Sequence, residues 1–262
     1  MSSTTIDPRS TPVLAARADV ACKCCGTSAL PMGSIDFNRT CEDQKAPVFA
    51  PAGRPIAYHR CPACSFIFTV AFDHFAPDEW QREIYNEDYV RADPDFVDVR
   101  PLSNAELVAN NFGRHPGIAL LDYGGGNGLM ARRLAEKGFS QATSYDPFYA
   151  GSTRPAGTFD LITSFEVLEH SHTPYDTLKD MRWFMGDKGM LFFSTLLQPA
   201  DIDVQGLAWW YASPRNGHVS LYSRASLDAL MKRLGLTWAS CNDLLHVAFR
   251  KRPPAFAGHL FA

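Results

Sequence analysis

No run of apolar residues in this 262-residue chain approaches the ~20 that a membrane-spanning helix requires, so no membrane segment is expected. No excess of basic charge is present either: 25 Lys and Arg stand against 28 Asp and Glu, a formal net charge of -3. A nucleic-acid-binding face normally brings a basic excess, so nucleic acid is not an expected partner. The one dense basic cluster, Arg250-Lys251-Arg252, reads as a solvated tail spanning 251–262. The start of the chain, Met1 to Thr11, is polar and lacks an apolar signal core, which points to a cytoplasmic protein. With two prolines in its first twelve residues, the segment 1–19 reads as a flexible tail. What remains is ordinary for a globular chain, 46% hydrophobic and 20% charged, and long enough for one core domain plus a small accessory module.

The most informative segment is Leu121-Asp122-Tyr123-Gly124-Gly125-Gly126-Asn127-Gly128. A short apolar run, Ile118 to Leu121, precedes it behind a Pro116-Gly117 turn, as a buried parallel strand would. Leu129, Met130 and Leu134 follow at helical spacing, and Gly138 stands where a helix C-cap glycine would. Strand, glycine loop and helix form the opening unit of a doubly wound, Rossmann-like α/β sheet. The glycines Gly124, Gly126 and Gly128 follow D-x-G-x-G-x-G, and the third glycine of a dinucleotide loop is replaced by Leu129. A pyrophosphate needs the helix N-terminus close at hand. A sulfonium nucleoside carries no phosphate and needs only close backbone approach.

Further strands follow at consistent spacing. Gln141 to Tyr145 reads as a second strand ending in Asp146, 24 residues after Asp122, where an acid can accept hydrogen bonds from ribose hydroxyls. A turn role before Pro147 is the alternative for Asp146. Phe159 to Phe165 is an apolar strand leading into Glu166-Val167-Leu168-Glu169-His170. A helix from about Pro174 to Met185, an Asp187-Lys188-Gly189 turn and a strand from Met190 to Ser194 complete the series. Only twelve residues separate Asp146 from Phe159, so a third strand and its adenine-contacting acid are short or missing, leaving Phe165 or Phe148 as candidates to stack on the ring.

These motifs in this order resemble the class I S-adenosylmethionine-dependent methyltransferases. Gly124–Gly128 resembles their motif I, and "FDLI…EVLEH" is similar to the fourth-strand motif of the ubiquinone-biosynthesis type. The resemblance covers roughly residues 113–250, and it implies S-adenosylmethionine as cofactor. Asp122, Gly124, Gly126, Gly128, Asp146, Pro147 and Phe165 are then candidate cofactor residues. The bridge at 76–112 carries "EWQREIYNEDYV", in which Trp80 and Ile84 share a helical face. Its "YNEDY" segment looks like part of the cofactor lid in related enzymes, which makes Tyr85 a further candidate. Simple packing of the bridge onto the core is the other reading.

Seven cysteines include two C-x-x-C pairs, Cys22/Cys25 and Cys61/Cys64, which suit a tetrahedral four-thiolate zinc site. The 35 intervening residues exceed the usual ribbon spacing of ~15–20, and the Pro and Gly residues among them, Pro31, Gly33, Pro47, Pro51, Gly53 and Pro55 included, allow a looped-out insertion. The odd cysteine count and the absence of a signal sequence weigh against a disulfide framework. Residues 20–75 therefore read as a zinc-ribbon-like module with a closed, structural metal, and Cys24 remains a possible substitute ligand.

Methyl transfer to a hydroxyl needs alignment, exclusion of water and a base. His170, at the carboxyl edge of the sheet, and His218, in the long aromatic loop after the fifth strand, are the candidate bases, and each also has a structural reading. Glu166 is a candidate cofactor contact or proton acceptor, and Arg215 a candidate anion contact. The expected function is methylation of a small molecule, on oxygen, in secondary-metabolite or glycan biosynthesis. Sugar C-methylation, methylation of ribosomal RNA guanine and a non-catalytic cofactor-binding scaffold are the alternatives. The oligomeric state is not legible.

Overall fold

The computed structural model describes residues 20–149 and 151–261; the tail expected at 1–19 lies outside them. Four strands come first: β1 (Val20–Ala21), β2 (Ser28–Asp36), β3 (Pro55–Arg60) and β4 (Ile67–Thr69). Three helices bridge onward, α1 (Pro77–Glu83), α2 (Tyr89–Ala92) and α3 (Val99–Phe112). The remainder alternates: β5 (Leu120–Tyr123), α4 (Leu129–Glu136), β6 (Ala142–Tyr145), β7 (Phe159–Ser164), α5 (Pro174–Phe184) and β8 (Met185–Ser194). It closes with α6 (Ile202–Gln205), β9 (Ser220–Leu221), α7 (Arg224–Arg233), β10 (Thr237–Ser240) and β11 (Leu245–Phe249).

The larger sheet has the order β10-β11-β8-β7-β5-β6. β6, β5, β7 and β8 run parallel, and β11 is inserted antiparallel beside β8. All four residues of β5 are buried, as expected of a central parallel strand covered on both faces. The chain runs from β5 outward to β6 and then returns to the other side of β5 as β7. Strand order therefore reverses between β5 and β7, and ligands bind at the carboxyl ends of the strands flanking such a reversal.

The sheet ends at β6, and the described residues of 146–158 contain no strand, in line with the short spacing in the sequence. Arg154 ties this segment to α5: its guanidinium makes two bonds to Asp180 (3.0 and 2.5 Å) and lies over the ring of Phe184 at 4.4 Å. The Asp187-Lys188-Gly189 turn is not a separate connection. It lies inside β8 as an excursion, because Met185 pairs with Phe159 while Met190 pairs with Leu161.

The smaller sheet, β1-β2-β3-β4-β9, is antiparallel, and its last strand comes from the C-terminal half of the chain. A module confined to residues 20–75 is thus incomplete: Ile67 and Phe68 of β4 pair with Leu221 and Ser220 of β9. Phe66 stacks on Phe68 at 5.2 Å and meets Tyr222 at 5.1 Å, and all three are fully buried. The segment read as a tail at 251–262 is packed as well. Ala255–Phe261 forms a 3-10 helix with Phe256 and His259 against Phe112, because its apolar residues find a face of α3 to bury. Arg250 likewise bonds the carbonyls of Arg182 and Met185.

Because one apolar cluster runs from the cysteine pairs to α7, Phe66→Ala is expected to lower unfolding stability by about 3–5 kcal/mol within a single urea transition. Two resolved transitions would show that the sheets fold independently.

Candidate active site and metal centre

The glycine loop sits at the carboxyl end of β5. Gly124 adopts φ +79°, and a Cβ built there would lie 2.4 Å from Val167 Cγ2. Gly125, a glycine outside the alternating motif, is equally constrained: its Cβ would come within 2.2 Å of Asp122 Oδ2 and 2.4 Å of Ser144 Oγ. Above Gly126 there is open space. The loop is therefore pressed against the strand ends beneath it and leaves its upper face clear for a ligand.

Asp122 lies buried beneath the loop. Its Oδ2 has no partner, and burial, together with the charge of Asp146, pushes its pKa up to about 7. Asp146 ends β6 and accepts from the amides of Gly126 (3.0 Å) and Phe148 (2.8 Å). It thus acts as a turn residue and loop tether, and each oxygen keeps a lone pair free for another donor. Phe165 differs from expectation. Its ring is buried edge-to-face on Phe192 at 5.5 Å, within the core rather than at a ligand surface. Phe148, about half exposed, is the aromatic free to stack.

Opposite the loop, the EVLEH block turns sharply at the end of β7. Glu166 has φ +56°, and its amide donates to Ser194 Oγ (2.9 Å) while Ser194 Oγ donates to its carboxylate (3.1 Å). Burial raises the pKa of Glu166, opposed chiefly by the Arg100 cation, which is held by two bonds to Asp93 (2.7 and 2.9 Å).

Glu169, His170 and His218 each place one polar atom within 4.8 Å of the others. Tyr211 organises this cluster from both ends. Its hydroxyl donates to Glu169 Oε1 at 2.6 Å, and its carbonyl lies 2.8 Å from His218 Nδ1. A carbonyl only accepts, so His218 carries its proton on Nδ1 and presents Nε2 as a lone pair. Burial lowers the His218 pKa to about 4 and carries His170 well below its usual value. Both imidazoles are therefore neutral near pH 7. Burial and the charge of Glu166 push Glu169 up to about 8. Tyr85 stands beside His170, with ring centroids 6.3 Å apart, and its phenol is raised by burial and by the Asp146 charge.

Buried polar atoms without partners gather at these strand ends: Ser164 Oγ, Glu169 Oε2, His170 Nδ1 and Thr195 Oγ1, with Asp122 Oδ2 and Ser144 Oγ under the loop. Such groups ordinarily find partners, and a polar ligand seated between the loop and the EVLEH turn would supply them. The residues present therefore fit a sulfonium nucleoside with amino-acid and ribose groups. Sequence reasoning missed Glu169, Tyr211, Arg100 and Asp93. Only Glu169 had a signal, its place inside EVLEH. Arg215, a candidate anion contact, is instead buried and bonded to the Ile84 carbonyl and the Asn86 side chain, both at 2.7 Å.

The cysteine pairs form two matching knuckles. Gly26 N–H bonds the Cys22 carbonyl at 2.8 Å and Ser65 N–H bonds the Cys61 carbonyl at 2.9 Å, with Gly26 and Ser65 both at positive φ. The sulfurs of Cys22 and Cys64 are 3.6 Å apart and those of Cys25 and Cys61 3.4 Å, all four within 4.8 Å. Disulfide sulfurs lie ~2.05 Å apart, whereas a zinc tetrahedron with ~2.3 Å bonds spaces its sulfurs by ~3.8 Å. The donor set fits a four-thiolate metal. Cys24 is buried beside it but is not among the four.

A family model described as a methyltransferase domain matches residues 97–240, more than half of the chain. The fold is that of a class I S-adenosylmethionine-dependent methyltransferase, and the chain belongs to this methyltransferase-domain family. Solved structures similar to it include an O-methyltransferase family protein from Burkholderia thailandensis, at 13% identity and TM-score 0.47 over 63% of this chain and 60% of that one. Another is the magnesium protoporphyrin IX methyltransferase of Synechocystis PCC 6803 with bound S-adenosylhomocysteine, at 16% identity and TM-score 0.42 over 69% and 96%. The mitomycin 7-O-methyltransferase is similar at 18% identity and TM-score 0.45 over 69% and 60%. The chain thus spans about 60% of the first of these relatives. No curated protein matches the sequence. Among the described residues no helix is long and apolar enough to cross a membrane.

The raised pKa of Glu169 makes a thermodynamic statement. Its contribution to stability is fully present below about 4.5 and is lost as pH rises through about 8, because the folded state retains the proton longer. His218 and His170, whose pKa values burial lowers, contribute with the opposite sign below about 6.5, so the Glu169 contribution is read as a difference: in urea melts of the cofactor-free protein, the stability of wild type relative to Glu169→Gln is expected to fall across this window. An unchanged slope in the variant would place the titration elsewhere.

Proposed function

We propose that this protein is an enzyme that transfers the methyl group of S-adenosylmethionine to a hydroxyl oxygen of a small-molecule acceptor. The observation that carries this reading is the clustering of Glu169, His170 and His218 at the turn after β7, whose Val167 lies against Gly124 of the glycine loop. When bound, S-adenosylmethionine supplies a methyl group on a positively charged sulfur. His218 Nε2 receives the acceptor's hydroxyl proton. Held at the glycine loop, the cofactor would give this methyl to the acceptor oxygen and depart as S-adenosylhomocysteine, leaving a methyl ether. Tyr211 fixes the His218 tautomer, and ionised Glu169 stabilises the resulting imidazolium. His170 stands beside His218, with ring centroids 5.0 Å apart, and helps exclude water.

Gly124, Gly126 and Gly128 give the cofactor its backbone approach, with Asp122 beneath the loop. Asp146, followed by Pro147, serves the ribose, and Tyr85 stands between the cofactor and acceptor sides. Glu166 balances the positive cofactor. A small acceptor is favoured because the arginines nearest the site are already engaged: Arg100 with Asp93, Arg215 with Ile84 and Asn86, and Arg39 with the carbonyls of Leu207, Ala208 and Trp209. The four-thiolate set, Cys22, Cys25, Cys61 and Cys64, is assigned a closed Zn2+ site with a structural role.

Calorimetric titration with S-adenosylhomocysteine is expected to show micromolar binding, weakened at least about tenfold by Gly125→Ala. Undetectable binding by the folded wild type would overturn the reading. With an acceptor from a hydroxyl-compound screen, kcat/KM is expected to rise with pH through about 8 as Glu169 ionises. His218→Ala is expected to cost about 100-fold or more in kcat with cofactor binding retained. Metal analysis should give one zinc per chain; a second tightly bound ion would assign Glu169, His170 and His218 to a metal instead.

A further inference from the structure

The cysteine module is not an appendage. The chain around His218 is bonded on three sides: to the cysteine knuckles and their sheet, to the EVLEH turn, and through Arg215 and Asn216 to the helical bridge. On the knuckle side, three backbone carbonyls accept from the catalytic half: Cys64 from Ser223 Oγ at 2.5 Å, Ser65 from Gln198 Nε2 at 2.8 Å, and Cys24 from Arg233 at 2.6 Å. Cys64 lies three residues before β4, whose Ile67 and Phe68 pair with β9, and β9 begins two residues after His218. Thr69 N–H reaches the Val219 carbonyl at 3.1 Å, and the Tyr58 hydroxyl on β3 donates to the His218 carbonyl itself at 2.8 Å. Cys41, within the insertion between the cysteine pairs, donates its amide to Asn216 Oδ1 at 2.8 Å and lies 3.7 Å from His218 Nδ1. On the EVLEH side, Val219 N–H bonds the Glu169 carbonyl at 2.9 Å, while Ser220 and Tyr222 bond the carbonyls of Ser171 and Leu168.

The cofactor loop makes no part of this lattice. It is tied to β6 through Asp146 and to the parallel sheet through β5. The two halves of the site thus have different supports. The cofactor half rests on the parallel sheet, and the acceptor half is held between the EVLEH turn at the end of β7 and the antiparallel sheet that the cysteines close.

We propose that metal binding at the four cysteines positions the acceptor-side loop at 209–221, His218 included, through β4, β9 and Tyr58, and leaves the cofactor side independent of the metal. The proposal rests on the zinc and His218 assignments above. Tyr58 is accordingly a positioning residue: it touches the backbone of the base and acts through it.

The test is hydrogen–deuterium exchange on the full chain before and after chelation, with metal content and S-adenosylhomocysteine binding measured on the same samples. Loss of zinc is expected to accelerate exchange at 209–221 at least about tenfold, while peptides spanning 120–136 change by less than about twofold and cofactor binding persists. Exchange that accelerates only at the knuckles, or uniformly along the chain, overturns the proposal. A purified protein without zinc, or one that never binds S-adenosylhomocysteine, sinks the underlying assignments separately. Tyr58→Phe keeps the ring and all four thiolates. It is expected to retain full zinc, to shift the His218 imidazole resonances and their titration in labelled protein, and to leave cofactor affinity within about twofold. An unmoved His218 signal contradicts the role given to Tyr58.

Discussion

The pairing of β4 with β9 is the contact on which the rest of this structure depends. It is only two residue pairs long, Ile67 with Leu221 and Phe68 with Ser220, yet it joins the two sheets and fixes the chain just after His218. Short ladders are weak alone, and this one is held by what surrounds it. Phe66, Phe68 and Tyr222 seal one side with buried aromatic surface, and the knuckle carbonyls accept bonds from α7 and its N-cap on the other. A small cysteine module needs a partner surface to bury its apolar face, and the loop that carries His218 needs a rigid back wall. The same ladder serves both.

Electrostatics in the site follow from burial more than from pairing. Two glutamates and two histidines share a desolvated space with one cation, Arg100, which Asp93 already neutralises. The cheapest state of such a cluster is neutral, with imidazoles unprotonated and a carboxyl retaining its proton. The proton retained on Glu169 stabilises the protein at low pH, whereas the two buried neutral imidazoles act in the opposite direction, because the unfolded chain protonates them first as pH falls. The neutral state also suppresses the charged form of Glu169 that stabilises a protonated base. A positively charged cofactor relieves the conflict, because it brings the counter-charge that the apoprotein lacks.

Much of the catalytic frame was legible in the sequence because it is local. The glycine loop, the apolar strands and the helix ends are each written in neighbouring residues, and the short gap after Asp146 correctly announced a sheet without its third strand. The C-x-x-C spacing likewise placed two knuckles. What could not be read is what depends on distant contacts. Tyr211 lies in an aromatic run with no period, and its role exists only because its carbonyl and hydroxyl meet His218 and Glu169 in space. Phe165 looked available for a ligand, but the alternation of side chains at the end of β7 turned it into the core beside Phe192. The segment after Arg250 read as charged tail because three basic residues hid the apolar Phe256, Ala257 and Leu260 that dock it. A two-residue strand such as β9 carries no pattern at all.

The most direct single measurement is a crystal structure of the protein with S-adenosylhomocysteine, collected at the zinc absorption edge. The architecture predicts one anomalous peak among Cys22, Cys25, Cys61 and Cys64, and the ligand's sulfur on the glycine loop facing the His170–His218 side. A ligand seated elsewhere, for instance against the outer edge of β6, or a metal peak at the histidine cluster, would contradict it.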